Sequence, residues 1–162
     1  QCMTLNLGFA ASLLDALYFD PNKSRANYFK HGIVLEFAQQ LEWAKKVVWA
    51  DDRHSYNEVR MSGLVPLEGK IYAVAYVLRA ESTRMISLRK ANNREMSYMK
   101  KNTQNPAPRK YELLSDEEDR AITLAALSDP DNQPWTDEDF AKIKKFYRYG
   151  DEMPKASDLP SK

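Results

Sequence analysis

Lys70-Ile-Tyr-Ala-Val-Ala-Tyr-Val-Leu78 is the stretch that decides the fold. Tyr72, Val74, Tyr76 and Leu78 alternate with Ile71, Ala73, Ala75 and Val77, so both faces of the run are apolar, as a strand covered on two sides requires. Three neighbouring runs, Val47–Trp49, Asn57–Val65 and Thr83–Leu88, also read as strands. Pro66–Gly69 and Ala80–Ser82 are connections of hairpin length, which predicts an antiparallel meander with 70–78 at its centre. Upstream, Asp20-Pro21 opens a helix that runs to His31 and stops at Gly32. A second helix is expected over Val34–Lys46, with Leu35, Phe37, Ala38, Leu41, Trp43 and Ala44 on its apolar side. Lys90–Tyr98 returns to helical character. The fold class is therefore α+β, an antiparallel sheet meander with N-terminal helices packed on it and an appended helical tail.

The chain has 162 residues and changes character at Met99. Residues 1–98 carry 13 Lys and Arg against 10 Asp and Glu, whereas residues 99–162 carry 11 against 13. From Glu112 to Asp139 there are ten carboxylates and one basic side chain, Arg120. This divides the chain into a basic part, 1–98, and an acidic part, 99–162, and suggests a cationic surface with its own anionic cover. Asn102–Pro108 reads as a linker between them. Beyond it, Ser115 with Glu118 forms a capping box opening a helix over Asp116–Leu127, which Asp129-Pro130-Asp131 ends. Thr136 starts another short helix with Phe140, Ile143 and Phe146–Tyr147 along one edge. Two short amphipathic helices bury little on each other, so Ile122, Leu124, Trp135 and Phe140 are expected to dock on the first part.

Several function classes fall away. Cys2 is the single cysteine, which makes a reducing cytoplasm the default expectation. Leu5–Leu17 has no Lys or Arg before it and contains Asp15, so it reads as an amphipathic extension rather than a signal peptide, and it is too short to span a bilayer. No membrane partner is expected. Two histidines and no regular carboxylate spacing give no metal signature, and five scattered glycines give no phosphate-cradling loop, so no cofactor is expected.

What remains is a set of polar residues in the first part: Lys23, Asn27, Lys30 and His31 on the first helix, the run Asp51–Arg60, and then Arg79, Arg84, Arg89, Lys90, Arg94 and Glu95. Glu58 and Arg60, two apart in a strand, share a face. A sheet face bearing several arginines and one glutamate, with His and Lys from a nearby helix, can hold a phosphodiester and move a proton. Each residue also has a plainer reading. His31 suits a helix C-terminus, His54 a solvated loop, Glu58 a cross-strand ion pair, and Arg94 with Glu95 a cap on the last helix of this part.

Asp20-Pro-Asn-Lys-Ser-Arg-Ala-Asn-Tyr-Phe-Lys-His-Gly32, the Asp52-Arg53…Tyr56…Glu58…Arg60 segment and Arg84-Met-Ile-Ser-Leu-Arg-Lys-Ala-Asn-Asn-Arg-Glu95 together resemble the BrnT toxins of bacterial type II toxin–antitoxin systems. The resemblance covers about residues 17–98. It implies a RelE-like ribonuclease fold and metal-independent cleavage of RNA. Taken with the polar set above, it makes Lys30, His31, Glu58, Arg60, Arg84 and Arg89 the catalytic candidates, with Lys23, Arg53, Arg79 and Lys90 binding RNA. In this sequence Phe19, Asn57 and Leu88 stand where the family usually has Trp, Gly and Ala. The acidic run Leu114–Ile122 with Ser128–Phe140 looks like the toxin-binding N-terminal part of the BrnA antitoxins, without the ribbon-helix-helix segment that binds operators in that family. That implies neutralisation of a toxin without direct DNA binding. The partners expected are thus an RNA substrate and an antitoxin segment in the same chain or a neighbouring copy, the second arrangement giving a homodimer. An inert complex serving as a binding or corepressor module is the alternative reading.

Overall fold

The computed structural model describes residues 17–53, 58–79, 82–102 and 111–155. His54 and Asn57, most of the expected extension over Leu5–Leu17 and most of the Asn102–Pro108 linker lie outside them. The architecture is the mixed α+β arrangement expected. Five strands, β1 (Leu17–Tyr18), β2 (Val47–Ala50), β3 (Val59–Leu67), β4 (Lys70–Leu78) and β5 (Thr83–Lys90), form one sheet in the order β1-β5-β4-β3-β2. β2 to β5 are antiparallel neighbours, and the two-residue β1 runs parallel to β5 at the edge. β4 lies in the middle and its side chains are buried on both faces, as its unbroken apolar run requires. The β3–β4 turn places Glu68 and Gly69 at φ of 51° and 85°, the twist that a two-residue hairpin needs.

Helix α1 (Pro21–His31) has the expected boundaries. The Asp20 side chain accepts a hydrogen bond from the Asn22 amide, and Gly32, at φ of 76°, closes the helix by donating to the Tyr28 carbonyl. The helix expected over Val34–Lys46 does not form. Two 3-10 turns, Leu35–Gln40 and Trp43–Lys45, take its place, separated by an extended Leu41. The buried residues Leu35, Ala38 and Leu41 recur every three positions, which suits three residues per turn better than 3.6. The Trp43 indole donates to the Ala38 carbonyl and the Glu42 amide to Pro66, fixing both turns against the sheet.

Helix α2 (Asn93–Asn102) begins later than expected, because Lys90 still belongs to β5. Asn92 and Glu95 cap it reciprocally, each side chain accepting from the other's amide. Met99, where the charge balance changes, lies inside this helix and is fully buried. Helices α3 (Asp116–Leu127) and α4 (Asp137–Ala141) follow, the first capped by Ser115 and the second by a Thr136–Asp139 capping box. No helix of the described residues is long and apolar enough to cross a membrane.

The sheet separates two cores. One face packs Met61, Val74, Tyr76, Met85 and Leu88 against the 3-10 turns. The other packs Val47, Trp49, Leu64, Ile71 and Ala73 against Met96 and Met99 of α2 and against Trp135 and Phe140 of the acidic part. Trp49 meets the rings of Trp135, Phe140 and Phe146 edge-on at 5.1–5.7 Å, and Tyr98 stacks on Phe140 at 3.7 Å. Farther along, Tyr147 makes an antiparallel bridge to Val48, and the buried Lys46 ammonium donates to the carbonyls of Arg148 and Asp151. The outer edge of β2 is covered in this way by residues of the acidic part.

Candidate functional site

The second face of the sheet carries three cross-strand rows: Arg60–Val77–Arg84, Ser62–Ala75–Ser87 and Leu64–Ala73–Arg89. Small residues on β4 leave a trough between the polar side chains of β3 and β5. Arg84 and Arg89 are five apart, so an unbroken strand would point them to opposite faces. The register breaks between Ala75 and Tyr76, with Met85 opposite Tyr76 and Ser87 opposite Ala75, so Ile86 is an extra residue on β5. This bulge turns Ser87 and Arg89 to the side that Arg84 already occupies.

Helix α1 is pinned beside that row by Asn27. Its side chain donates to the carbonyls of Ile33 and Leu88 at 2.7 Å and accepts from the Leu88 amide at 3.1 Å. Lys23, Lys30 and His31 therefore stand at the rim of the trough next to Ser87.

The residues that fill the trough are Asp129 to Trp135, between α3 and α4. Asp129 is 2% exposed. Its Oδ2 pairs with His31 Nε2 at 2.7 Å and accepts from the Ser87 hydroxyl at 2.9 Å, while Lys30 Nζ lies 3.7 Å from Oδ1. Burial alone would push this carboxyl up. The hydrogen bonds from His31, the Asp131 amide and Ser87, together with the Lys30 charge, outweigh burial and hold it far below the ordinary carboxylate range. Asp131 lies between Lys23 Nζ at 2.7 Å and Arg60 Nη1 at 3.5 Å. Asn132 donates to the Ala73 carbonyl, so the segment crosses the central strand.

Arg89 is buried, and its five N–H groups are all engaged. Two reach the Glu95 carboxylate at 2.9 Å and one the Lys90 carbonyl, while Nε and Nη2 donate to the carbonyls of Asn132 and Gln133. Glu95 also accepts from the Trp135 amide. Burial works against its charge, but Arg89 and these amides win and lower its pKa. Arg53 is held by Asp51, donates to the carbonyls of Gln133 and Pro134, and lies 3.6 Å above the Trp135 ring.

The structure thus brings Lys23, Lys30, His31, Arg53, Arg60 and Arg89 to one acidic segment of the same chain. Others stand apart. Glu58 pairs with Arg79 at 3.0 Å, both side chains largely exposed. Arg84 faces Asp20 at 3.6 Å. Lys90 lines a cavity of about 200 Å³ with Lys30, His31 and Ile122, which places Ile122 against the basic rim. Trp135 and Phe140 are buried on the sheet, whereas Leu124 is 61% exposed and makes no such contact. Ser87, Asp129 and Asp131 were not singled out by sequence reasoning. The signal available was the acidic run itself, in which Asp129-Pro130-Asp131 reads as a helix stop and falls within the stretch that resembles a toxin-binding segment.

A family model described as ribonuclease toxin, BrnT, of type II toxin–antitoxin system matches residues 19–95. The matched span runs from the residue before the α1 cap to Glu95 in α2, and holds every basic residue of the trough. The acidic segment lies outside it. No curated protein matches the chain.

Proposed function

We propose that this chain is an endoribonuclease unit held in a covered state by its own acidic segment, which neutralises it as an antitoxin would. The observation that carries the reading is the burial of Asp129 among His31, Ser87 and Lys30. A carboxylate bound by an imidazole, a hydroxyl and an ammonium occupies the kind of place a phosphodiester takes. With the segment displaced, an RNA 2′-hydroxyl attacks the adjacent phosphorus, the O2′–P bond forming as P–O5′ breaks to leave a 2′,3′-cyclic phosphate and a 5′-hydroxyl. The His31 imidazole takes the 2′ proton, Lys30 supplies one to the leaving oxygen, and Arg60 and Arg84 meet the charge that develops on the phosphoryl oxygens. Arg89, fixed by Glu95, turns two freed N–H groups toward the strand. Glu58 anchors Arg79 rather than moving a proton.

The test is incubation of single-stranded RNA with the Asp129→Lys/Asp131→Lys chain in the presence of a chelator. Lysines at these positions face Lys23, Lys30 and Arg60 and expel the segment by like-charge repulsion. Cleavage leaving cyclic phosphate ends, abolished by an added His31→Ala, is the expected result. A folded variant that binds RNA without cutting it supports instead an inert binding module, which the engagement of all five Arg89 donors favours.

A further inference from the structure

The two carboxylates of Asp129-Pro130-Asp131 are held by separate groups of donors, and both line one cavity of about 200 Å³ with Ala26 and Ile86 in its wall. At Asp129 the donors are His31 Nε2, Ser87 Oγ and Lys30 Nζ. Ser87 has one proton and two acceptors within reach, Asp129 at 2.9 Å and Asn27 Oδ1 at 3.2 Å. Asn27 Oδ1 already accepts from the Leu88 amide, which leaves the hydroxyl proton directed at the anion. At Asp131, Lys23 and Arg60 approach different oxygens from opposite sides, α1 and β3.

We propose that Asp129 and Asp131 occupy two successive phosphate subsites of one nucleic-acid strand, the first formed by His31, Ser87 and Lys30 and the second by Lys23 and Arg60. This rests on the covered-ribonuclease reading and goes beyond it by fixing where the strand lies and which side chains take each phosphate. Asp129 marks the reacting phosphate, because the imidazole is there. Asp131 marks its neighbour, at which a phosphate only anchors. Ser87 is a phosphate-binding residue that its strand bulge delivers, and Lys23 sets how many phosphates the site requires.

The experiment uses the full chain carrying Asp129→Ala and Asp131→Ala, which vacates both subsites without adding charge. Its probes are thymidine dinucleotides with one phosphate (TpT) and with two (pTpT), 2′-deoxy so that no cleavage intervenes, measured by calorimetric titration at fixed salt. The two-phosphate probe is expected to bind about ten-fold tighter, the order of one well-made charged contact. Adding Lys23→Ala brings the two probes within about two-fold, while Ser87→Ala weakens both alike by several-fold. Equal affinities in the double variant, or a ratio that survives Lys23→Ala, overturn the proposal. Thermal unfolding of each variant confirms that it is folded, and Asp129→Asn/Asp131→Asn serves as the shape-conserving pair if the alanines unfold it. A chain that shows the ratio but never cuts RNA keeps the subsites and refutes the ribonuclease reading. A chain that cuts RNA without the ratio does the reverse.

Discussion

Replacing Glu95 by Gln changes one oxygen to an amide nitrogen and keeps the size of a fully buried side chain. The native carboxylate accepts from Arg89 Nη1 and Nη2 at 2.9 Å and from the amides of Asn92 and Trp135 at 3.0 Å. A glutamine offers one acceptor oxygen to these four donors and turns its own N–H₂ toward the rest. It also leaves the Arg89 charge without a counter-charge at 1% exposure. Breaking a buried pair from one side costs about 3–5 kcal/mol, against about 5–15 kcal/mol for the total stability of a domain. At this chain length that is about 6–20 °C in Tm. Urea and thermal unfolding followed by circular dichroism measure it, with Arg89→Met and the double variant completing a cycle. The loss in the double variant should fall well short of the sum of the two single losses, because both singles break the same contact. A Tm change under about 3 °C for Glu95→Gln, or additive losses, would refute the claim that this pair clamps β5, α2 and the acidic segment together.

Acid should release the cover. Asp129 and Glu95 have pKa values below their unfolded ones, so the stability they contribute is full above about pH 4–4.5 and lost as pH falls through that range and below it. Asp129→Asn should flatten this limb in unfolding measured between pH 7 and pH 3. At Lys46 the charge works against folding instead: burial, partly opposed by Asp151, lowers its pKa to about 8, so the ammonium destabilises the folded chain below that pH. Stability should rise from pH 8 toward 10.5, and Lys46→Met should remove the rise. In β3, a Cβ on Gly63 would run into Val48 Cγ1, so Gly63→Ala should cost about 1–3 kcal/mol and loosen β2, seen as faster amide exchange at Val48.

Much of the sheet was legible because period-two apolar patterning in 70–78 has a single consistent reading, and α1 because its cap, first-position Pro and terminal Gly agree. The stretch 35–45 misled because its apolar residues Leu35, Phe37, Ala38, Leu41, Trp43 and Ala44 also trace one side of an α-helix, while the three-residue spacing of the buried Leu35, Ala38 and Leu41 and docking against Pro66 select the 3-10 turns. The site was harder to read. Arg84 and Arg89 share a face through a one-residue bulge that no local propensity announces. Asp129 and Asp131 stop a helix and also bind the basic rim, and a sequence shows the first of these directly while the second needs the tertiary fold. Glu58 satisfied the same-face rule with Arg60, but the rule does not name its partner, and Arg79 lies 3.0 Å from its carboxylate.

The most direct test of the covered-ribonuclease account is the initial rate at which one RNA is cut by the native chain and by the Asp129→Lys/Asp131→Lys chain under the same salt. Loss of about 3 kcal/mol of docking corresponds to about a hundred-fold more uncovered protein. The account predicts a rate higher by about that factor in the lysine variant. Equal rates from two folded chains would contradict it.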